Sequence, residues 1–499
     1  MYISIDQSTS SSTVFLYNKN LKLLSKTSKI HKQIQKKFGY VEHDAEEIYK
    51  NILFLLRKVS KKVKFNNNSF LSITNQRETF VIFDTLSGKP LHNAVVWQCR
   101  RGQKVCDIIN KSHSNKKLIK KDTGLTLDTY FPAPKLVQLL SSNNQLKEKL
   151  KNGSALFGTI DTYLIYRLTK QKSYMTDITN ASRTLFFNNK SLKWSKRLLT
   201  LFGLEFKLLP EVKESSSIFG YTNLNQLLKT SIPISGVMGD SQASIFANQC
   251  FNKGNTKITL GTGASILTNI GKQYTFKKNI ITTLSYVYKN TPSYSYECLI
   301  NYAGATVSWL NSNLEIIKKP EETNAIFKKT KNSNGVIFIP AFVGLSSPHW
   351  LPTCKGMIYG LTPSVNKNHI IRSALESIAF QIKDYVDDLE KNQKIKVNTI
   401  CRGKAMSAGA MILASGTGKR LASKRSTIMI HEGSSMQAGK SSDLKAAHKY
   451  NSHLESMANA ILGDRTNKDK KFWSEQTKTD LYLSAKDAQK LGVIDGIIH

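Results

Sequence analysis

An apolar run that ends in a glycine and an aspartate is the feature that most constrains how this chain folds. Residues 234–239 read as a strand, Asp240 follows at once, and residues 243–249 continue as a helix. The pattern predicts one acidic group at the mouth of a strand, directly before a helix. A carboxylate there accepts a proton from a substrate hydroxyl if phosphate-binding loops lie within reach. A plain turn with a capping residue has the same pattern, so the neighbouring motifs decide between the two.

Two segments have the composition of phosphate-binding hairpins. Residues 2–5 and 13–17 are apolar or β-branched, and the turn between them, residues 6–12, reads DQSTSSS. Hydroxyls and backbone N–H groups in such a turn bind phosphate, and Asp6 is placed to hold a metal ion through water. The strand–turn–strand pattern returns at residues 256–270, with GTG as the turn. Taken alone, the first segment also fits an ordinary serine-rich hairpin.

Arg77 and Glu78 form a charged pair directly after a predicted strand at residues 70–74. Arginine donates hydrogen bonds and glutamate accepts them, so the pair is suited to hold vicinal hydroxyls. A surface ion pair of little consequence is the alternative. Upstream, residues 44–62 read as an amphipathic helix that Asp44 caps.

Length, charge and cysteine usage limit the class of protein. The 499 residues are enough for two to four domains, and 40% hydrophobic with 21% charged residues is typical of a soluble globular protein. The net charge of +37 would suit nucleic acid, but lysine is spread along the chain beside many asparagines and isoleucines. Compositional bias explains that pattern, so we expect no nucleic-acid partner.

The apolar runs are too short for a membrane span and no signal peptide is visible, which predicts a cytoplasmic protein. The six cysteines form no CxxC pair and are predicted to be reduced thiols without a metal.

Many strings between Met1 and about Ile400 match one family in order and spacing. They are DQSTSSS, YVEHD, ITNQRET, VVWQCRR, DTGL, GTIDTYLIY, TDITNASRT, LPEV, IPISGVMGDSQA, LGTG, GATVSWL, IPAF and ALESIAFQ. This part of the chain resembles the FGGY family of carbohydrate kinases, and within it the glycerol kinases. The resemblance implies an α/β fold of two ribonuclease-H-like domains of the actin-like ATPase type, at 1–246 and 247–400, with one phosphate hairpin in each. It also implies transfer of phosphate from ATP, with Mg²⁺, to glycerol or a related polyol, and leaves a homo-oligomer open.

The resemblance assigns roles residue by residue. The glycerol-binding positions fall on Arg77, Glu78, Trp97, Tyr130, Asp240 and Ser241, with Asp240 as the catalytic base. The ATP-binding positions fall on Thr9, Ser10, Ser11, Thr13, Thr262, Gly304 and Ser308, and Asp6 matches the position near the metal. Thr13 replaces a basic residue of the family, which removes one phosphate contact. Ser241 and Ser308 each replace a glutamine, so a related polyol or sugar stays open as the substrate.

Beyond residue 400 this resemblance stops. The family has a glycine-rich turn and helix there that hold adenosine, whereas residues 401–405 read CRGKA. We therefore expect a truncated second domain, with no partner for the adenine and with unpaired strands in its sheet. Residues 398–499 instead resemble the C-terminal half of the proteolytic subunit of the Clp protease, through VNTICRGKAMSAGAMILASGTGKR, IMIHEG and DLYLSAKDAQKLGVIDGII.

The second resemblance implies a partial Clp-protease-like, crotonase-like α/β segment at 401–499. Its triad positions fall on Ser407, His431 and Asp480; in such a triad His takes the serine proton and Asp fixes the tautomer. The half of that family's domain that supplies the oxyanion hole is missing, so we expect no peptidase activity. The sequence thus predicts a chimera that acts as a polyol kinase. The alternatives are a Clp-type serine peptidase fragment and a polyol-binding remnant that does not hold ATP. A further alternative is that the last segment completes the open kinase domain.

Overall fold

The computed structural model describes residues 1–35, 37, 39–61, 69–277, 279–351, 353–392, 396–406, 408–431, 456 and 458–498. Contacts divide the chain into two units. Unit 1 comprises Met1–Gln249 and Ile270–Tyr296, and unit 2 comprises Cys250–Asn269 and Glu297–His499. The domain limits predicted at residues 246 and 400 stay predictions.

Both units mix strands and helices, so the predicted α/β class is confirmed. The strands are β1 (Tyr2–Gln7), β2 (Ser11–Tyr17), β3 (Leu23–Ile30), β4 (Gln33–Ile34), β5 (Glu42–His43), β6 (Phe70–Asn75), β7 (Phe80–Asp84), β8 (Ala94–Val95), β9 (Ala155–Thr159), β10 (Met175–Asp177), β11 (Phe187–Asn188), β12 (Lys193–Trp194), β13 (Glu211–Lys213), β14 (Ile218–Thr222), β15 (Ile232–Gly239), β16 (Thr256–Leu260), β17 (Ala264–Gly271), β18 (Ile281–Tyr288), β19 (Thr291–Ile300), β20 (Ile337–Ile339), β21 (Met357–Tyr359), β22 (Thr399–Cys401), β23 (Lys404–Met406), β24 (Arg420–Ser423), β25 (Thr427–Ile430), β26 (Leu481–Ser484) and β27 (Gly496–Ile498). The helices are α1 (Ala45–Ser60), α2 (Gln103–Asn110), α3 (His113–Thr123), α4 (Pro132–Ser141), α5 (Asn144–Asn152), α6 (Ile160–Leu168), α7 (Ile178–Ala181), α8 (Lys196–Phe202), α9 (Asp240–Ala247), α10 (Gly304–Ser312), α11 (Glu322–Lys329), α12 (Lys367–Asp387), α13 (Ala408–Ala414), α14 (458–465), α15 (Lys470–Gln476) and α16 (Ala485–Lys490).

A six-stranded sheet in the order β14-β15-β6-β1-β2-β3 organises unit 1. Its three middle strands, β15, β6 and β1, run parallel. Asn75, the last residue of β6, is in register both with Gln7 on β1 and with Gly239 on β15. The three strands therefore end level, and the residues that follow them come out at one edge of the sheet.

Helix α1 contributes to the core of unit 1 and agrees with the sequence prediction. The Asp44 side chain accepts hydrogen bonds from the N–H groups of Glu46 and Glu47, which satisfies the first turn. Apolar residues at helical spacing then bury in the same core as β1, β2 and β6: Ile48, Ile52, Leu55, Leu56 and Val59. The helix ends at Ser60, two residues earlier than predicted.

Unit 2 contains the second predicted hairpin. Strands β16 and β17 pair antiparallel, with Leu260 opposite Ala264 across the turn. A small apolar core in the same unit joins α10, β20 and α12 through Leu310, Phe338 and Ile371. The long helix α12 then leads into one π-helical turn at Asp388–Asn392.

The C-terminal segment joins unit 2 through a strand. Asn398 forms a parallel bridge with Asn255, and its N–H donates to the carbonyl oxygen of Gly254 at 2.9 Å. The Asn398 side-chain amide donates to Asn255 Oδ1 at 2.8 Å. Strand β22 begins at the next residue and runs parallel to β24, which runs parallel to β27. The contact between Asn398 and Asn255 is one isolated bridge just before β16, and among the described strands β16 itself pairs only with β17, so the expectation of unpaired strands stays a prediction. The contacts of the segment place it in unit 2, which favours the alternative in which it completes the second domain.

The rest of the segment has its own apolar core. Strands β23, β25 and β26 form a three-stranded sheet, and the fully buried Trp473 of α15 packs with Ile428 and Leu483 from that sheet. Along the whole described part of the chain, no helix has the length and apolar character needed to cross a membrane.

Candidate active site

The level ends of three parallel strands place the acidic and basic candidates of unit 1 together. Asp6 is the second-to-last residue of β1, Arg77 and Glu78 follow β6, and Asp240 follows β15. Ligands bind beyond the carboxyl ends of parallel strands because the backbone and the loops open there. The sequence predicted each strand separately, and the register of the sheet brings their ends to one place.

Asp240 is the exposed carboxylate of this cluster. Its side chain is 47% exposed, and its Oδ1 lies 3.4 Å from Arg77 Nε. Oδ1 also accepts the N–H of Ser241 at 2.6 Å. As the first residue of α9, Asp240 sits at the positive end of the helix dipole, which stabilises a carboxylate. Neither of these contacts uses Oδ2, and no other residue in the described ranges donates to that oxygen, so it is open to an alcohol.

Glu78 is the buried carboxylate of the cluster. Its side chain is 1% exposed, and its Oε1 accepts from Arg183 Nε at 2.5 Å. Arg77 Nε lies 4.0 Å from the same oxygen. The backbone of Glu78 has φ +60°, a left-handed conformation that a non-glycine residue adopts at a cost and that clusters at functional sites. The predicted surface ion pair is therefore wrong as an alternative, because both side chains are buried.

The sequence assigned no role to the side chains that hold this pair in place. Arg183 is fully buried, donates from Nη1 to Thr283 Oγ1 at 3.0 Å and lies 5.1 Å above the Phe131 ring. Gln242, also fully buried, accepts from Arg77 Nη1 at 3.3 Å and donates to the carbonyl of Leu284 at 3.2 Å. The signal for each was its place in a family string, TNASRT for Arg183 and IPISGVMGDSQA for Gln242.

Trp97 and Tyr130 form an aromatic wall in the same unit. Their ring centroids are 5.4 Å apart at 55°, and both side chains are half-buried. The fully buried amine of Lys135 donates to the carbonyl of Tyr130 at 2.9 Å, of Val96 at 3.1 Å and of Trp97 at 3.4 Å. Burial lowers the pKa of Lys135 to about 8. One cation thus fixes the backbone beneath both rings, which the sequence did not indicate.

The first phosphate hairpin is tied to that wall. Its turn, Ser8–Ser10, closes with a hydrogen bond from the Ser8 N–H to the carbonyl of Ser11 at 2.9 Å. Thr9 Oγ1 accepts from Trp97 Nε1 at 2.9 Å, and the Thr9 carbonyl bonds with His31 Nε2 at 2.9 Å. Ser10 is exposed and Ser11 begins β2. Thr13 lies inside β2, where its hydroxyl bonds with Ser28 Oγ at 2.9 Å, so its predicted phosphate contact stays a prediction.

Asp6 has the chemistry of a divalent-metal position. Burial raises its pKa, the Asp240 carboxylate raises it further, and Ser8 Oγ donates to its Oδ1 at 3.0 Å. The nearby Asp240 carboxylate adds negative charge, which attracts a cation. In the described part of the chain no group of three or more His, Cys, Asp or Glu side chains forms a metal cage. Mg²⁺ commonly binds one or two carboxylates and takes its other ligands from water and substrate phosphates, so the two carboxylates fit this ion.

Unit 2 holds the second hairpin turn against a helix. The Thr262 carbonyl accepts from the N–H groups of Ala303 at 3.0 Å and Ala305 at 2.9 Å. The N–H of Gly304 donates to the carbonyl of Gly261 at 2.9 Å, and a Cβ at Gly304 would lie 2.6 Å from that oxygen. Only glycine therefore fits at residue 304. Ser308 lies one helical turn further on, so Thr262, Gly304 and Ser308 are neighbours within this unit.

The structure describes two of the three positions of the predicted peptidase triad. Ser407 lies outside the described residues. His431 follows β25 and Asp480 precedes β26, and these strands pair antiparallel with Ile430 opposite Leu481. The register thus places residues 431 and 480 side by side. Asp480 is exposed, and its Oδ2 accepts from Tyr482 at 3.4 Å.

Sequence comparison gives three matches along the chain. Residues 1–247 match the N-terminal domain of the FGGY family of carbohydrate kinases, residues 256–402 match the C-terminal domain of that family, and residues 381–499 match the Clp protease family. The glycerol kinase of Fusobacterium nucleatum is 40% identical over 399 residues, 79% of this chain and 80% of that protein. Glycerol kinase 1 of Thermotoga maritima is 43% identical over 393 residues, 78% of this chain and 80% of that protein.

Solved structures agree with the sequence matches. The glycerol kinase of Plasmodium falciparum with ADP superimposes with a TM-score of 0.73 at 32% identity, covering 98% of this chain and 95% of that one. Ligand-bound xylulose kinase of Lactobacillus acidophilus also gives a TM-score of 0.73, at 19% identity, which supports the fold alone. Because the first superposition spans 98% of this chain, it includes the Clp-like segment.

Proposed function

Because the chain belongs to the FGGY family of carbohydrate kinases, we propose that it transfers the terminal phosphate of ATP to glycerol, giving sn-glycerol 3-phosphate and ADP. One observation carries the proposal: a half-exposed carboxylate, Asp240, lies 3.4 Å from Arg77 at the ends of three parallel strands. The glycerol kinases among the relatives support the choice of substrate class. A related polyol is the nearest competing substrate.

The polyol is held by groups of unit 1. Arg77 donates to one hydroxyl and Glu78 accepts from its neighbour, while the hydrogen bond from Arg183 fixes the Glu78 side chain. Trp97 and Tyr130 cover the carbon chain, and Ser241 offers a further hydroxyl beside the base. The arrangement favours a short vicinal polyol, because donor and acceptor are fixed at adjacent residues.

Asp240 is the base of the reaction. Its free Oδ2 takes the proton of the terminal hydroxyl, so that the oxygen attacks the γ-phosphorus as the proton leaves. Arg77, on Oδ1, keeps the carboxylate oriented. Phosphoryl transfer needs mainly positioning and charge stabilisation, which suits a site of fixed polar groups.

Each unit carries its own set of phosphate-binding groups. Thr9, Ser10 and Ser11 offer hydroxyls and N–H groups to phosphate in unit 1, and Thr262, Gly304 and Ser308 are the corresponding group of unit 2. Asp6 would hold Mg²⁺ through water, and the ion would neutralise charge on the transferring phosphate. A cytosolic location accords with a free ATP supply, and it remains part of the proposal.

The test is formation of glycerol 3-phosphate that depends on both ATP and glycerol, measured with a coupled dehydrogenase. We expect Asp240→Asn to lower kcat by at least ~10² while the variant still binds glycerol in calorimetry. Asp107→Asn, an exposed carboxylate on α2, is the matched control and should keep wild-type rates. An Asp240→Asn rate equal to that control would refute the assignment of the base. Absence of turnover in the wild type with intact glycerol binding would select the polyol-binding remnant instead.

A further inference from the structure

One short buried helix connects the residues that carry the proposed site. Helix α7 spans only Ile178–Ala181, and all four of its residues are buried. Its Asn180 exchanges two side-chain hydrogen bonds with Asn75, the last residue of β6, each 3.0 Å long. Arg183, the partner of Glu78, follows two residues after the helix ends. Through these contacts α7 is joined to the end of β6, and it lies two residues before Arg183.

The contact of α7 with β15 lies beside the proposed base. The N–H of Gly239, the residue before Asp240, donates to Thr179 Oγ1 at 3.0 Å. On its other side Gly239 faces Arg77: a Cβ at residue 239 would lie 2.8 Å from Arg77 Cγ. Gly239 is therefore held between the Thr179 hydroxyl and the Arg77 side chain, and its position sets where α9 starts.

Asp177 determines which way the Thr179 hydroxyl points. The hydroxyl donates its single proton to Asp177 Oδ1, so its lone pairs face the Gly239 N–H. Asp177 is itself fully buried and fixed, because Oδ1 accepts the N–H groups of Thr179 at 2.9 Å and Asn180 at 3.1 Å while Oδ2 accepts from Ser215 Oγ at 2.6 Å. Without the aspartate, the hydroxyl would be free to rotate away from Gly239.

We propose that Thr179, oriented by Asp177, is a positioning residue that sets the Asp240 carboxylate through the backbone of Gly239. The proposal rests on the proposed function, since it concerns the same carboxylate. A buried threonine 60 residues earlier in the chain thereby controls the alignment of the base without touching substrate. Misplacement of a catalytic group by about 1 Å costs up to ~10² in rate, so the effect should appear in kcat.

The test is a graded series at one position. Thr179→Ser keeps the hydroxyl, Thr179→Cys offers a weaker acceptor of similar size, and Thr179→Val keeps the shape without a hydrogen-bonding group. We expect kcat to stay within about threefold for Ser and to fall about tenfold or more for Val, with Cys between them. The KM for ATP should stay within about twofold throughout, because the Thr179 hydroxyl bonds with Asp177 and Gly239 and not with the residues of the first phosphate hairpin. Thr184→Val is the control, since the Thr184 hydroxyl donates only to the Ala181 carbonyl, at 2.8 Å.

The outcomes separate this proposal from the function on which it rests. If wild type turns over and Asp240→Asn abolishes turnover, yet Thr179→Val matches Thr184→Val, the positioning role is refuted and the base assignment stands. If Asp240→Asn keeps full activity, the proposed function fails first. If the valine variant does not fold, the comparison of Ser with Cys decides: equal kcat values for these two overturn the proposal.

Discussion

The buried ion pair between Arg183 and Glu78 allows the sharpest test of how this site is built. The two side chains are 0% and 1% exposed and meet at 2.5 Å. Arg183→Met removes the guanidinium and retains an apolar chain of similar length above Phe131. The change leaves the Glu78 carboxylate buried, while Arg77 Nε stays 4.0 Å from its Oε1.

The expected cost follows from these contacts. Removing one member of a buried ion pair destabilises a protein by about 3–5 kcal/mol. Because Arg77 stays as a weak partner, we expect the lower end, about 3 kcal/mol. Arg183→Met combined with Glu78→Gln leaves no buried charge at this pair, so about 2 kcal/mol of the loss should return. The hydrogen bond from Arg183 to Thr283 is lost in both variants and accounts for about 1 kcal/mol that does not return.

Amide hydrogen exchange read by mass spectrometry is the assay, because it reports local stability without assuming that both units unfold together. Peptides covering β6 and α7 should exchange faster in Arg183→Met, and the double variant should regain about 30-fold of protection. Lys151→Met is the control: its side chain is 55% exposed and pairs at 3.2 Å with Glu205, whose side chain is 61% exposed, so we expect exchange protection close to that of the wild type. The reasoning is refuted if Arg183→Met behaves like Lys151→Met, or if the double variant is no more stable than Arg183→Met.

Three further predictions concern other parts of the chain. The pKa of Lys135 is about 8 in the folded protein and 10.5 ordinarily, so the folded protein binds this proton less tightly than the unfolded chain does. The free energy of unfolding of the wild type should therefore increase relative to that of Lys135→Met as pH rises from 8 towards 10.5. Urea denaturation measures this free energy, and the same pH dependence in both proteins would contradict the prediction. A chain that ends at residue 396 loses the bridge from Asn398 to residues 254 and 255, just before β16, so exchange protection of the β16–β17 hairpin should fall; unchanged protection would show that the Clp-like segment is merely appended. A fluorophosphonate probe should label wild type no more than Ser407→Ala, and labelling confined to the wild type would favour the peptidase fragment.

Local structure was largely predictable, whereas the partners of the site residues were not. The hairpins at the start of each FGGY-like part and the helix α1 follow from alternation, helical spacing and a capping residue, and all three are confirmed. Arg77 and Glu78 were placed correctly after a strand. Their burial was not predicted, because it depends on Arg183 and Gln242, which lie over a hundred residues away in sequence.

The C-terminal part shows the same limit of local patterns. The change of family after residue 400 was predicted from the strings and is confirmed by the Clp protease match. The bridge between Asn398, just before β22, and Asn255, just before β16, was not predicted, because the sequence of a strand does not indicate which strand it will pair with. The roles of the individual site residues stay predictions until the variants are measured.

The bridge at Asn398 has a consequence for how such a chain can arise. The two family matches overlap at residues 381–402, and Asn398 lies in that overlap with its backbone and side chain both bonded to the start of β16. The change from one family match to the other thus coincides with a β-bridge, and beyond it β22 and β24 run parallel with α13 between them. The backbone hydrogen bond of the bridge requires only an N–H and a carbonyl group, which every residue except proline supplies. A segment that resembles a second family can therefore follow the first without leaving these backbone groups unpaired.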